Sequence, residues 1–228
     1  MYFNYFKFLF VLLSGVALAC SGVEGSSKNT SAALISSQTA VESPSSTAKG
    51  VQTAIFAGGC FWGVEAVFEH IKGVSDVTSG YTGGTAKTAN YDAVSAGKTG
   101  HAEAVKVTYD SSKVSYEQLL KVFFSVAHDP TELNRQGPDI GTQYRSAIFY
   151  SNEEQKRLAQ SYIDKLNTEK AFAKPIVTQL AALGKFYRAE NYHQNYLALH
   201  PKEPYIVMHD QPKVENLRKQ FPDLFVAK

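Results

Sequence analysis

The chain has 228 residues, 44% of them hydrophobic and 12% aromatic, with 23 basic and 21 acidic side chains and two cysteines. That length suits one domain with appendages, and that apolar share excludes a wholly disordered chain. A formal charge of +2 without a basic run argues against nucleic acid as a partner, and two cysteines build neither a disulfide scaffold nor a four-thiolate zinc site.

Met1–Lys7 carries one positive charge, and Phe8–Ala19 is apolar apart from Ser14 and Gly15. The stretch is short of the roughly 20 apolar residues a membrane span needs. It ends in Ala17-Leu18-Ala19, the small-x-small pattern a signal peptidase cuts. Residues 1–19 are therefore predicted to be a signal peptide, and the protein to be exported to a bacterial periplasm or cell-envelope membrane. Cys20 follows directly and resembles the lipobox cysteine of bacterial lipoproteins, whose thiol receives a diacylglyceryl group. Ala17 and Leu18 depart from the Leu and small residue that pattern prefers, so plain secretion stands as the alternative to a lipid anchor at Cys20. Residues 20–50 read as a tether. Ser21–Gly50 holds nine Ser, three Thr and no aromatic residue, too little apolar surface to offset the entropy of ordering.

From Val51 the texture changes, and 51–228 reads as one catalytic domain. Thr53–Ala57 is predicted as a buried strand broken by Gly58-Gly59. Phe61–Ile71 has helical spacing of Trp62, Ala66 and Val67 and ends at Gly73. Val74–Tyr81 reads as a strand closed by Gly83-Gly84. Ala102–Tyr109 alternates in the manner of a strand. Ser115 and Gln118 form a capping box for a helix through Ala127, and Ser151 with Glu154 caps another to Asn167. Between them Ser146–Tyr150 is a strand. Ile176–Leu180 is a further strand, and Asn191–His200 a short final helix stopped by Pro201. Strands and helices mix without regular alternation, which predicts an α+β domain with helices packed on a sheet.

The most informative stretch is Gly58-Gly59-Cys60-Phe61-Trp62-Gly63. The glycines permit a tight strand-to-helix turn and put Cys60 at the first turn of the helix. Unpaired N–H groups there favour an anion, which predicts a lowered thiol pKa. The competing reading is a buried structural cysteine. Cysteine phosphatases need an arginine six residues on, where Ala66 stands. No C-x-x-C exists, and the six histidines (70, 101, 128, 193, 200 and 209) show no zinc-binding spacing, so no metal is expected. A Cys–His hydrolase stays open, because its histidine can lie anywhere in sequence.

Gly59-Cys60-Phe61-Trp62-Gly63 resembles the signature of the A-type peptide methionine sulfoxide reductases. The resemblance runs on through Gly80–Gly84, Tyr91, Gly100–Glu103, Gly137–Ser146 and Ala189–Gln194, in the family's order and spacing. It implies an α+β domain with a ferredoxin-like core that reduces the S epimer of methionine sulfoxide, free or in oxidised proteins. It implies Cys60 as nucleophile, Phe61 and Trp62 as walls for the S-methyl group, and Glu103 as proton donor. Tyr91 and Tyr144 would be hydroxyl donors to the sulfoxide oxygen, and Asp139 a supporting carboxylate. Glu103 lies on a strand face otherwise apolar at Val105 and Val107, where desolvation would raise a carboxyl pKa; without the resemblance it reads as an exposed strand glutamate. His193 matches a family position without a chemical step, and His101 reads as structural.

Many members carry a resolving cysteine near the C-terminus, and Met208–Lys228 has none. The resemblance then implies no bound cofactor but an external thiol donor: thioredoxin, glutaredoxin or a small thiol. If Cys20 is unlipidated, it could itself pair with Cys60 across the tether. A monomer is expected. The alternative from another class is a non-catalytic surface lipoprotein on the same fold.

Overall fold

A sheet that alternates residues between two faces needs cover on both, and the order of elements shows how this chain supplies it. The computed structural model describes residues 50–228; the predicted signal peptide, Cys20 and the tether before Gly50 lie outside the described residues. Strand β1 (Val51–Gly58) is buried from Ala54 onward and leads into α1 (Phe61–Glu69). Then come β2 (Val74–Thr82), a short α2 (Tyr91–Ser95) and β3 (Ala102–Asp110). Helix α3 (Tyr116–Val122) continues into a π turn at Phe123–Ala127. The two-residue strands β4 (Arg135–Gln136) and β5 (Asp139–Ile140) pair as a hairpin. After β6 (Ser146–Tyr150) and α4 (Glu153–Thr168), the chain closes with β7 (Gln179–Ala182), β8 (Tyr187–Arg188), α5 (Tyr196–Leu199) and α6 (Gln211–Gln220).

The six-stranded sheet has the order β7-β6-β1-β3-β2-β8. Every neighbouring pair is antiparallel except β6 and β7. Its inner four strands, β6-β1-β3-β2, arise from a β-α-β-β-α-β path, which is the ferredoxin-like arrangement expected. On one face Phe56, Val105, Val107, Tyr109 and Ile148 pack with α1 and α3 in the main core. On the other, Ile55, Ala57, Ala104, Ala147 and Phe149 are covered by Ala181, Leu183 and Phe186. That second cover is why Ala102–Val105 is buried on both faces, where simple alternation predicts one wet side.

The Ser115–Gln118 capping box forms as predicted. Four other predicted details change. Helix α1 stops at Glu69 because the His70 ring turns back to the Ala66 carbonyl (2.7 Å) and Gly73 takes φ +92°. The cap of α4 is Asn152, whose side chain accepts from Gln155 N, while Ser151 binds the Gln155 side chain. Strand β7 begins at Gln179, because Val177 N donates to the Pro130 carbonyl instead of the sheet. The predicted final helix is two pieces, a single turn at Asn191–His193 and α5, separated by Asn195 at φ +54°. It is also not final. Pro201 ends α5, but a π turn at Ile206–Asp210 runs into α6, where Pro212 suits a helix start.

Candidate active site

The turn from β1 to α1 is crowded at both of its glycines. A Cβ on Gly58 would press on the His128 ring at 3.0 Å. Gly59 has φ +91°, and a Cβ there would meet the Gln136 side chain at 2.6 Å. Cys60 is thereby held at the N-cap of α1 with its thiol buried. The thiol pKa stands well above its ordinary value, first because of burial and then because of the Glu103 and Asp210 charges; the Trp62 N–H and the Lys213 ammonium pull the other way. The lowered pKa predicted from the helix start is therefore corrected. Near this thiol, desolvation and two carboxyls outweigh the dipole of a nine-residue helix.

Glu103 opens β3 on the helix-facing side and is almost wholly buried. Its Oε2 accepts from Phe61 N at 3.2 Å, which ties the carboxyl to the first turn of α1. Burial pushes its pKa up to about 8; the Phe61 N–H opposes this, and the Asp139 charge adds to it. The carboxyl is thus mostly protonated at neutral pH, able to donate. It also sets no full negative charge beside the thiol in that form.

A cavity of about 210 Å3 is lined by Cys60, Phe61, Trp62, Tyr91, Glu103, Asp139, Tyr144 and Tyr205. Seven of these eight are the residues singled out from sequence. Neither the Tyr91 nor the Tyr144 hydroxyl has a hydrogen-bond partner among the described residues. Burial raises both phenol pKa values, so both remain protonated donors. Asp139 Oδ2 accepts from the Tyr205 hydroxyl at 2.5 Å.

The walls are braced by residues to which the sequence assigns no role. Trp62 is sandwiched in place: Tyr196 stacks on it at 3.7 Å and 6°, Tyr205 meets it edge-on at 5.9 Å, and its Nε1 donates to His193 Nδ1 at 3.1 Å. Buried His193 also packs against the Phe61 and Tyr91 rings at 5.0 and 4.6 Å. Accepting at Nδ1 makes it the Nε2–H tautomer, and burial lowers its pKa, so the neutral ring persists. Glu190 clamps Tyr91 from behind, accepting from Tyr91 N (2.9 Å) and the Tyr81 hydroxyl (2.8 Å). The motif Ala189–Gln194 points toward His193 and Glu190. Nothing in the local pattern of Tyr196 or Tyr205 marks them among thirteen tyrosines.

His101 is structural, its ring bonded to Gly84 N and near the Thr85 carbonyl. Among the described residues no histidine is hydrogen-bonded to Cys60: His128, whose ring lies against Gly58, is engaged by the Phe123 carbonyl and Ser146 Oγ. No imidazole is therefore paired with this nucleophile in the way the base of a Cys–His hydrolase is.

Comparison with known proteins agrees in kind. Residues 52–224 match the family model described as peptide methionine sulfoxide reductase. The chain is 60% identical over 181 residues to peptide methionine sulfoxide reductase MsrA 2 of Mesorhizobium japonicum, covering 79% of this chain and 93% of that protein. It is 53% identical over 183 residues to MsrA 2 of a Synechocystis strain, covering 80% and 86%. Among solved structures, Mxr1 of Saccharomyces cerevisiae in reduced form matches with a TM-score of 0.61 at 32% identity, covering 68% of this chain and 88% of that one. Methionine sulfoxide reductase A of Corynebacterium diphtheriae gives 0.59 at 34%, covering 68% and 77%.

Proposed function

The chain belongs to the A-type peptide methionine sulfoxide reductases, thiol-dependent oxidoreductases, and on that premise we propose that Cys60 and Glu103 perform the reduction in the aromatic cavity. The observation that bears most weight is the pairing of a buried thiol with a carboxyl whose pKa is raised to about 8, facing one cavity with two unpartnered phenols.

A sulfoxide offers an electrophilic sulfur and a poor leaving oxygen. Its methyl group fits against Phe61 and Trp62, whose faces exclude water. The oxygen meets the hydroxyls of Tyr91 and Tyr144 and the protonated Glu103. Proton donation polarises the S–O bond, and the Cys60 sulfur attacks. An S–S bond forms between Cys60 and the substrate as the protonated oxygen leaves as water with the S–O electron pair. Water then attacks Cys60 Sγ, the S–S bond breaks with its pair on the methionine sulfur, and Cys60 is left as sulfenic acid. Asp139 takes no proton in this scheme. Its charge helps keep Glu103 protonated, and its bond to Tyr205 fixes that ring against Trp62. The substrates are methionine S-sulfoxide, free or in oxidised proteins.

An external thiol then regenerates Cys60, the one cysteine among the described residues. Thioredoxin, glutaredoxin or a small thiol are the donors. The protein acts outside the cytoplasm, exported by residues 1–19 and anchored through acylated Cys20, with 20–50 as tether and 51–228 as the working domain. Intact mass of the purified native protein checks this: a diacylglyceryl adduct on a chain starting at Cys20 is expected, and an unprocessed N-terminus refutes export.

The reaction is tested with the separated S and R epimers of methionine sulfoxide and dithiothreitol. Consumption of S alone is expected. Turnover of R, or of neither, refutes the reading.

A further inference from the structure

Cys60 lines two cavities. Beyond the aromatic one lies a second of about 150 Å3. It shares Cys60, Asp139 and Tyr205 with the first, and is otherwise bounded by the turn at residues 136–138, His209 and Lys213. The thiol therefore stands at the boundary between them. The two differ in charge. Glu103 belongs to the first alone, and the cationic Lys213 and the imidazole of His209 belong to the second alone. Lys213 is itself held by Asp210 Oδ1 at 3.1 Å, one partner for an ammonium with three donors.

The reductase cycle brings two sulfurs to Cys60 in turn, the sulfoxide and then the reductant. Displacement at a divalent sulfur proceeds through a mixed-disulfide intermediate with attacking and leaving atoms on opposite sides. In the proposed cycle the hydroxyl of the sulfenic acid points toward the groups that bound the sulfoxide oxygen, Glu103 and the two phenols. A thiolate cannot use that side. It would also meet the Glu103 carboxyl there and no cation, whereas the Asp139 carboxyl lines both cavities.

Resting on the reductase reading, we infer that the second cavity is the binding site of the reducing thiol, taking a low-molecular-weight thiolate that Lys213 attracts toward Cys60. The thiolate attacks Cys60 Sγ, an S–S bond forms, the S–O bond breaks, and the oxygen leaves as water after taking a proton. A second thiol attacks the mixed disulfide, releasing the oxidised reductant and Cys60 as thiolate. Two electrons pass from two thiols, matching the two that reduced the sulfoxide.

The test uses the full chain and three thiol probes that differ in charge: 2-mercaptoethanesulfonate, 2-mercaptoethanol and cysteamine. The enzyme is first given methionine S-sulfoxide without reductant, and methionine is counted. One methionine per Cys60 establishes the reductase reading on its own; none refutes that reading whatever the thiols do. Reduction of the resulting sulfenic acid is then timed with each thiol, corrected for its thiolate fraction. In Lys213→Glu the ratio of anionic to cationic rate constants is expected to fall by at least about tenfold, as a nearby reversed charge implies. Gly137 provides a second probe that leaves the Asp210 pair intact. It lies at φ +55°, a conformation Asn and Asp tolerate, and a Cβ there would meet nothing within 4 Å. Gly137→Asp should lower the same ratio relative to Gly137→Asn. Equal ratios in wild type, Lys213→Glu and Gly137→Asp overturn the assignment of this cavity.

Discussion

Two regions meet at Cys60, and they are built differently. The thiol stands at the N-cap of α1 just past the end of β1, Glu103 stands on β3 opposite Tyr81 of β2, and the Phe61 N–H bond ties the carboxyl to the start of the helix. The walls are braced from residues 190–213, a run of single turns and short helices that returns across the start of α1. The reacting groups thus hang on backbone fixed by the sheet and by the first turn of α1. The substrate surface is shaped by side chains holding one another: Trp62 by Tyr196, Tyr205 and His193, and Tyr91 by Glu190. Loss of a group from the sheet region should stop chemistry, and loss from the wrap should chiefly loosen binding.

Cys60→Ser tests the first half most severely. Removing a nucleophile from such a unit should lower turnover by at least about 10⁴-fold. Substantial residual sulfoxide reduction in that variant would mean that another group carries the reaction. Glu103→Gln keeps the Phe61 contact but has no proton to deliver. Its single-turnover rate should fall by about 10²–10³-fold, the usual share of a general acid. In the wild type the acid is present below a pKa of about 8, so the rate should decline as pH rises through that value. The variant should lack that limb, and an unchanged profile would remove Glu103 from the proton step.

The same carboxyl weakens the fold. Its pKa is raised in the folded state, so its contribution is full at acid pH and is lost as pH climbs from the ordinary glutamate range through about 8. Glu103→Gln should therefore melt above the wild type at pH 9 while being far less active. A lower melting temperature there would show that the buried charge is better compensated than its single N–H partner suggests.

His193→Phe probes the wrap. The ring contacts remain, but Trp62 Nε1 loses its acceptor, and an unpaired buried donor costs about 1–3 kcal/mol. KM should rise by roughly tenfold, equivalent to 1.4 kcal/mol, with a smaller change in kcat. A drop in kcat alone would place His193 in the chemistry and break the division between the two regions. The smallest effect should come from Asn152→Ala, which removes the cap of α4 away from both cavities. Stability should fall by about 1 kcal/mol with kcat/KM unchanged.

Much of this is legible from residue order. The glycine pair before Cys60 reads as a tight strand-to-helix turn, and the positive φ at Gly59 with the crowding at both glycines bears this out. The alternation of Ala102–Tyr109 puts Glu103 on the apolar face, because a strand's two-residue period settles facing without tertiary information. The cavity therefore gathers every residue expected in it. Local periodicity also places the inner strands and the first helices, whose burial follows from short-range pattern.

What the order of residues could not decide depends on contacts far apart in sequence. The thiol pKa is one: a helix start argues for a low value, and only the fold places Glu103 and Asp210 beside the sulfur and closes it from water. The partners of Trp62 are another, since Tyr196, Tyr205 and His193 lie more than 130 residues away along the chain. Helix α6 escapes the sequence pattern because it buries one leucine and little else, leaving a weak apolar stripe to read. The thiol of Cys60 and the chemistry it implies belong to the sequence. Its burial, its proton donor's high pKa and the two cavities that meet at it arise when the sheet and the C-terminal wrap close over α1.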